Sequence, residues 1–279
     1  MDFLGDHNPF VKQIRRAVAH GTLTEDGWAV AEGPHLLEEA MKAHCEIRAV
    51  IVSEAAKPEL LGQFSCLPGL HQVMLRQVSE KTFRTLCSTE TPQGVLALVR
   101  PPAADLATVL SGFGQQALIA VLDGVQDPGN AGAIVRVAEA FGATGAIFLK
   151  GTVDPFHPRA LRGAAGSSLR VPIVRGVDAD SLRGLKIYAA MSQAHGSGRV
   201  LEVNHADFTG SCAIAIGSEG RGIGEKLAAR AIAVHIPTRN VESLNAAVAA
   251  GILFYEAAQQ REAVQQKDVA RQRDEASAQ

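Results

Sequence analysis

Beyond residue 116 the chain repeats one pattern: a short apolar run, a polar turn, then apolar positions at helical spacing. The runs predict strands at 117–122, 146–149, 171–174, 186–190, 213–216 and 232–235. The spacing predicts helices at 131–141, 159–165, 225–229 and 243–258. Glu242 or Ser243 is placed to cap the last of these, with Leu244, Val248, Leu253 and Tyr255 in its apolar body. Strands this short and this uniformly apolar, separated by helices, imply a parallel sheet covered on both faces.

The first hundred residues predict a smaller α/β module. Residues 9–20 carry Phe10, Ile14 and Val18 on one side of a helix and Lys12, Arg15 and Arg16 on the other. A strand at 28–31 turns through Glu32-Gly33-Pro34 into a helix bearing Leu36, Leu37, Ala40 and Met41. Further strands are predicted at 47–52, 71–75 and 95–99, the last after the turn Thr91-Pro92-Gln93-Gly94. Ser79 is a cap for a helix through Phe83 and Leu86. Pro101-Pro102-Ala103-Ala104 reads as an extended linker, followed by a short helix at 106–110. The stretch after residue 258 is polar and extends the last helix before fraying.

With 279 residues, 47% of them apolar, there is room for two domains with cores of their own. A net charge of −2 lacks the general basic surplus of a nucleic-acid binder, so any basic surface is local. Lys12, Arg15 and Arg16 form one basic cluster. Lys150, Arg159, Arg162, Arg170 and Arg175 form another, in a stretch whose only acid is Asp154. A solvated face is the bland reading of either. No apolar run reaches a membrane span and MDFLGDHNPF has no signal-peptide pattern, so the cytoplasm is the expected address and no membrane partner is expected. Cys45, Cys66, Cys87 and Cys212 are scattered, and His157, His195 and His235 form no ligand set, so neither a disulfide framework nor a metal is expected.

Three stretches share the form strand end, turn, helix: VLDGVQDPGNAGAIVRVAEAFG (121–142), IAIGSEGRGI (214–223) and IPTRNVESLNAAVAAGILFYEAA (236–258). Such turns offer free backbone N–H groups, and glycines allow a ligand close to the chain. The first has Asp127-Pro128-Gly129-Asn130-Ala131-Gly132 where a dinucleotide fold would have G-x-G-x-x-G, and no G-x-x-x-x-G-K-[ST] occurs. Phosphate-cradling NTPases are thereby excluded, and a nucleotide-dependent oxidoreductase is a weak reading. Arg136 lies among Ile134, Val137 and Ala138, where a charge requires a partner: Glu139, Glu219, another acid, or a ligand. Asn130, Glu219, Ser243 and Asn245 are read equally well as caps or turn residues.

In that order, the three stretches resemble the motifs of the SpoU (TrmH-type) RNA ribose methyltransferases, a family of the knotted SPOUT class. The matching positions are Asn130, Gly132 and Arg136, then Gly217, Glu219 and Gly220, then Pro237, Ser243, Leu244 and Asn245. The resemblance implies an α/β fold whose C-terminal parallel-sheet domain, 117–258, carries a deep trefoil knot. It implies S-adenosylmethionine as cofactor, held by Gly217, Ile236 and Leu244, with Met191 and Ser192 also lining the pocket. Arg136 would be the principal catalytic residue, supported by Asn130, Glu219, Ser243 and Asn245. Because a guanidinium stays protonated, clamping a phosphate and stabilising the developing alkoxide suit it better than acting as a base.

Residues 1–100, with EGPHLLEEA and TPQGVLALV, look like the substrate-binding domain that precedes this catalytic domain and resembles RNA-binding ribosomal proteins. Lys12, Arg15, Arg16, Arg159 and Arg162 then become candidate phosphate contacts, and Glu32-Gly33 is structural. The implied layout is 1–100, a linker at 101–116, 117–258, and a polar tail at 259–279. A homodimer is implied too, with Ala249, Ala250 and Gly251 allowing close packing of the last helix. The chain departs from the family pattern at Thr238-Arg239-Asn240, where a Met-x-Gly turn is common, and at Ala246-Ala247. Asn240 can replace glycine because asparagine accepts a left-handed backbone; Arg239 adds a charge beside the expected pocket. The expected activity is methyl transfer to a ribose 2′-hydroxyl of structured RNA, foremost ribosomal RNA. The alternatives are a tRNA methyltransferase and a non-catalytic RNA-binding or ribosome-assembly protein on the same fold.

Overall fold

The computed structural model describes residues 2–57, 73–114, 116–191 and 200–277. In chain order the first elements are β1 (Asp2–Phe3), α1 (Pro9–His20), β2 (Ala29–Glu32), α2 (Pro34–Lys42), β3 (Ile47–Ser53), β4 (Met74–Val78), α3 (Glu80–Arg84) and β5 (Val95–Val99). There follow α4 (Leu106–Leu110), β6 (Leu118–Asp123), α5 (Pro128–Ala140), β7 (Gly145–Leu149), α6 (Pro158–Ala164), β8 (Ile173–Val177) and β9 (Ile187–Ala190). The last are β10 (Leu201–Glu202), β11 (Cys212–Gly217), α7 (Glu225–Ala228), β12 (Ile232–His235) and α8 (Ala246–Ser277). Two compact units result: Met1–Ala103 with Ala131–Arg136 and Asp154–Arg170, and Ala104–Asn130 with Val137–Val153 and Val171–Gln279.

The first unit holds a five-stranded mixed sheet in the order β1-β4-β3-β5-β2, with β5 antiparallel to both β2 and β3. Val30, Ala49, Ile51, Leu96 and Leu98 alternate onto one face and pack with Val11 and Ile14 of α1 and Phe83 of α3. Asn8 opens α1 by accepting the Phe10 N–H at 2.9 Å, and Pro9 occupies a position whose missing N–H costs nothing. The same unit contains α6 and the middle of α5. There Gly132 lies so close to the backbone of α6 that a Cβ would stand 2.1 Å from the Ala160 carbonyl oxygen, so only glycine fits.

The second unit holds a seven-stranded sheet in the order β10-β12-β9-β11-β6-β7-β8, and every pairing in it is parallel. Ile119, Val121, Ile147, Ile187, Ala213 and Ala215 share a core with Val109 of α4 and Leu227 of α7. The long helix α8 runs against β11 and buries Ala250, Leu253, Phe254 and Ala257. Because all seven strands run the same way, their C-terminal ends emerge along one edge, the usual ligand edge of an open α/β sheet.

Several expectations need correction. The strand expected at 171–174 is Ile173–Val177, because Val171 and Pro172 still belong to the approach. The strand expected at 71–75 is Met74–Val78, and residues 71 and 72 lie outside the described residues. The last helix starts at Ala246, since Asn245 caps it rather than Glu242 or Ser243, and it continues to Ser277. Val248 and Tyr255 are 52% and 51% exposed, so they lie outside its buried face.

What pins α8 is polar. Arg261 donates to the carbonyls of Phe208, Gln116, Ala117 and Gly210 at 2.6–3.0 Å, and Gln260 bonds the Phe208 N–H and the Ala206 carbonyl at 2.9 Å each. Replacing Arg261 by alanine removes the donor from all four carbonyls at once. We expect Arg261→Ala to lower unfolding free energy by about 2–3 kcal/mol, read as a shifted urea midpoint at unchanged slope.

Candidate active site

The C-terminal edge of the seven-stranded sheet is shaped by three turns, each governed by a local sequence signal. After β6, Asp127 precedes Pro128 and accepts the Asn130 N–H at 2.8 Å, capping α5. This overturns Asn130 as the cap and leaves its side chain free. After β11, Ser218 and Gly222 exchange two backbone hydrogen bonds, of 3.1 and 2.8 Å, closing a tight loop. A Cβ on Gly217 would sit 2.2 Å from the Gly222 carbonyl carbon, so the loop can fold back only onto glycine. After β12, Asn240 takes a left-handed φ of 63°, as asparagine in a glycine position can, and the Thr238 hydroxyl donates to the Val241 carbonyl at 2.8 Å.

The three turns are tied together by side chains. Asn245 accepts the Ala247 and Val248 N–H groups at 2.9 and 3.3 Å through Oδ1, which fixes the direction of its amide. Its Nδ2 must therefore face outward, and it donates to Asn130 Oδ1 at 3.1 Å and, more weakly, to Glu219 Oε1 at 3.4 Å. With Asn130 Oδ1 so engaged, Asn130 Nδ2 donates to Glu219 Oε1 at 2.5 Å. One carboxylate and two amides thus join the ends of β6, β11 and β12, each orientation following from the last.

The other expected cofactor positions lie along the same edge. Met191 directly follows β9, its N–H bonding the Val234 carbonyl at 2.9 Å; Gly217 ends β11 and Ile236 follows β12. Since β12, β9 and β11 are neighbours, these three positions stand side by side at adjacent strand ends. Met191, Ile236 and Leu244 are half-buried apolar side chains, and Gly220 and Gly222 have open space where a Cβ would be. Part-exposed apolar groups beside backbone with open space around its glycines suit an adenosine and its thioether arm, so the residues present fit S-adenosylmethionine. Ser192 and His195 lie outside the described residues.

Ser243 is exposed and bonds to no described residue. Arg136 is exposed on α5, and neither Glu139 nor Glu219 pairs with it; the charge resides in solvent rather than on an apolar face. Among the basic candidates Lys12 is exposed, whereas Arg15 and Arg16 pair with Asp6 at 2.5 Å and Glu25 at 3.2 Å. Arg162 donates to Ser88 Oγ at 3.0 Å and lies 3.8 Å from the buried Glu32 carboxylate, and Arg159 is exposed. Asp123 and Asp127 were missed. Asp123 accepts the Gly224 N–H at 2.8 Å, and Asp127-Pro128 is a cap signature that could have been read directly.

Residues 117–255 match the SpoU rRNA Methylase family and residues 8–97 the MRM3-like substrate binding domain. The chain is 32% identical over 256 residues to the 23S rRNA (guanosine(2553)-2′-O)-methyltransferase RlmP of Bacillus subtilis, covering 89% of this chain and 95% of that protein. It is 31% identical over 198 residues to the 23S rRNA (guanosine-2′-O-)-methyltransferase RlmB of Photobacterium profundum, covering 68% of this chain and 80% of that one. A crystal structure of an rRNA methyltransferase from Sinorhizobium meliloti with S-adenosylmethionine bound matches with a TM-score of 0.74 and 26% identity, over 92% of this chain and 97% of that one. Fold, strand-end turns and these matches define an RNA methyltransferase that takes its methyl group from S-adenosylmethionine. The chain belongs to the SpoU rRNA methylase family.

Asn245 both caps α8 and orients Asn130, and substitution separates the two roles. Asn245→Ala is expected to cost about 1 kcal/mol of stability through the lost cap, with methyl transfer reduced. Asn245→Ser restores the cap but not the amide, so stability should recover while transfer stays low; denaturation and a methyl-transfer assay read the two effects.

Proposed function

We propose that this enzyme methylates a ribose 2′-hydroxyl in large-subunit ribosomal RNA, acting in the cytoplasm as a homodimer. The observation that carries the reading is the Asn130–Glu219–Asn245 cluster, which gathers one residue from each of the three motifs at one sheet edge. The names of the B. subtilis and P. profundum relatives support 23S rRNA as the substrate class. Residues 1–100 would select the RNA, 117–258 would carry the chemistry within a trefoil knot, and 259–279 would be a polar tail.

Bound S-adenosylmethionine supplies a methyl group open to in-line displacement by an oxygen nucleophile. Holding hydroxyl and methyl in line provides much of the rate. Gly217, Ile236, Leu244 and Met191 hold the adenosine through backbone and apolar contact. Asn130 and Asn245, aligned through Glu219, position the ribose, and Ser243 lines the substrate side. Arg136, exposed and unpaired among the described residues, clamps a substrate phosphate and stabilises the negative charge that develops on the attacking 2′-oxygen. Lys12 keeps an unengaged charge for RNA; Arg15, Arg16 and Arg162 would have to exchange their present partners for phosphate.

Ala250 is fully buried within its own chain and so is not available to a dimer interface. Val248 and Tyr255, half exposed and two helical turns apart, share a face of α8 and are better suited to meet a second copy.

Ribose methylation mapped by mass spectrometry in RNA from cells with and without the gene tests the reading. One 2′-O-methyl nucleotide of the large-subunit rRNA should disappear and return with the wild-type gene. Arg136→Ala should leave it at least about 100-fold undermethylated in a short assay. Loss of a tRNA methylation instead, or no change at any site, would overturn the proposal.

A further inference from the structure

Among the described residues, arginine side chains are almost all engaged. Arg15, Arg16, Arg48, Arg76, Arg84, Arg100, Arg162, Arg170 and Arg183 pair with carboxylates. Arg230 and Arg261 donate to backbone carbonyls, and Arg159, Arg175 and Arg273 also have partners. The exceptions among the described side chains are Arg136, Arg221 and Arg239, all exposed. Each lies in one of the three motif stretches, although only Arg136 is a motif residue.

Arg221 and Arg239 are therefore unusual in the same way and in the same part of the sequence. Arg221 is at the tip of the loop closed by Ser218 and Gly222, two residues from Glu219, with its own N–H held by Ser218 Oγ at 3.1 Å. Two residues of chain keep its Cα within about 7 Å of that of Glu219. Arg239 stands in the turn shaped by Asn240, six residues before Asn245. Acids are close in sequence, Glu225 to the one and Glu242 to the other, yet all four side chains are exposed and no ion pair forms. Glu219 forms no ion pair with Arg221; its Oε1 accepts from the amides of Asn130 and Asn245 instead. Both guanidinium groups are thus presented by backbone-constrained turns, on loops that also carry a member of the cluster.

We propose that Arg221 and Arg239 grip phosphates of the RNA strand on either side of the nucleotide being methylated. The proposal rests on the RNA-methyltransferase reading above and adds two positioning residues to it. A guanidinium suits this use because its planar fork meets two phosphate oxygens at once. The net charge of −2 makes such local contacts matter: with no general basic field, the strand is held where individual arginines stand unneutralised. Alanine at either position breaks no side-chain hydrogen bond or ion pair with a described residue, since neither guanidinium makes one.

The test uses the full chain and an in vitro transcript of the large-subunit rRNA. Binding is measured from low to moderate salt for wild type, Arg221→Ala, Arg239→Ala, the double variant and the two lysine variants, with S-adenosylmethionine affinity measured in parallel. Each alanine should flatten the slope of log K against log salt by about 0.7 to 0.9, with additive effects in the double variant. KM for RNA should rise, cofactor affinity should hold, and the lysine variants should keep the slope. An unchanged slope in the double variant overturns the proposal. So does a selective loss of cofactor affinity, which would assign the arginines to the cofactor's carboxylate. Failure of the function reading looks different: wild type would bind the transcript with its full salt slope yet methylate none of it.

Discussion

The site depends on how closely two backbones approach each other. Gly217 ends β11 with the Gly222 carbonyl pressed into the space where any side chain would begin. That contact, sealed by the two Ser218–Gly222 hydrogen bonds, sets the position of Glu219. At Glu219 it meets a chain of amides that starts from the α8 cap: Asn245, fixed by the Ala247 and Val248 N–H groups, orients Asn130, and both donate to the carboxylate. A larger residue at 217 would move the carboxylate and uncouple three turns together.

The architecture around this contact brings the proposed site's residues together. An all-parallel sheet sends every strand end to one edge, and the neighbouring order β12-β9-β11 places Ile236, Met191 and Gly217 side by side there. The helices supply rigidity: Asp127 fixes the start of α5, and Arg261 with Gln260 locks α8 far from its cap. The arginines divide accordingly. Those that hold the fold have acids or carbonyls as partners, and those left in the motif stretches have solvent.

Much of this was legible in sequence because buried strands advertise themselves. The runs at β6, β7, β9, β11 and β12 are apolar but for Asp123 and His235 at strand ends, and the sequence places them to within a residue or two, whereas two-residue β1 and β10 carry no such pattern. Helix ends were harder. Ser243 and Asn245 are both cap-type residues, and only the folded chain shows that Asn245 meets the Ala247 N–H. The helix then runs on to Ser277 because nothing in its polar stretch stops it, neither glycine nor proline. The motif positions Asn130, Glu219 and Asn245 were found through family resemblance, but their mutual hydrogen bonds span residues 89 and 115 apart in sequence. The ion pairs within the charge clusters are hidden for the same reason: Asp6 and Glu25 reach Arg15 and Arg16 only in the fold.

The central claim is that Asn130, Glu219 and Asn245 act as one oriented unit rather than as three separate contributors. A double-mutant cycle on methyl-transfer kcat/KM, with Asn130→Ala, Glu219→Gln and the pair combined, measures this most directly. If the account is right, the double variant is about as slow as the slower single variant, giving a coupling energy of about 1 kcal/mol or more. Rate losses that simply multiply, at unchanged stability, would contradict it.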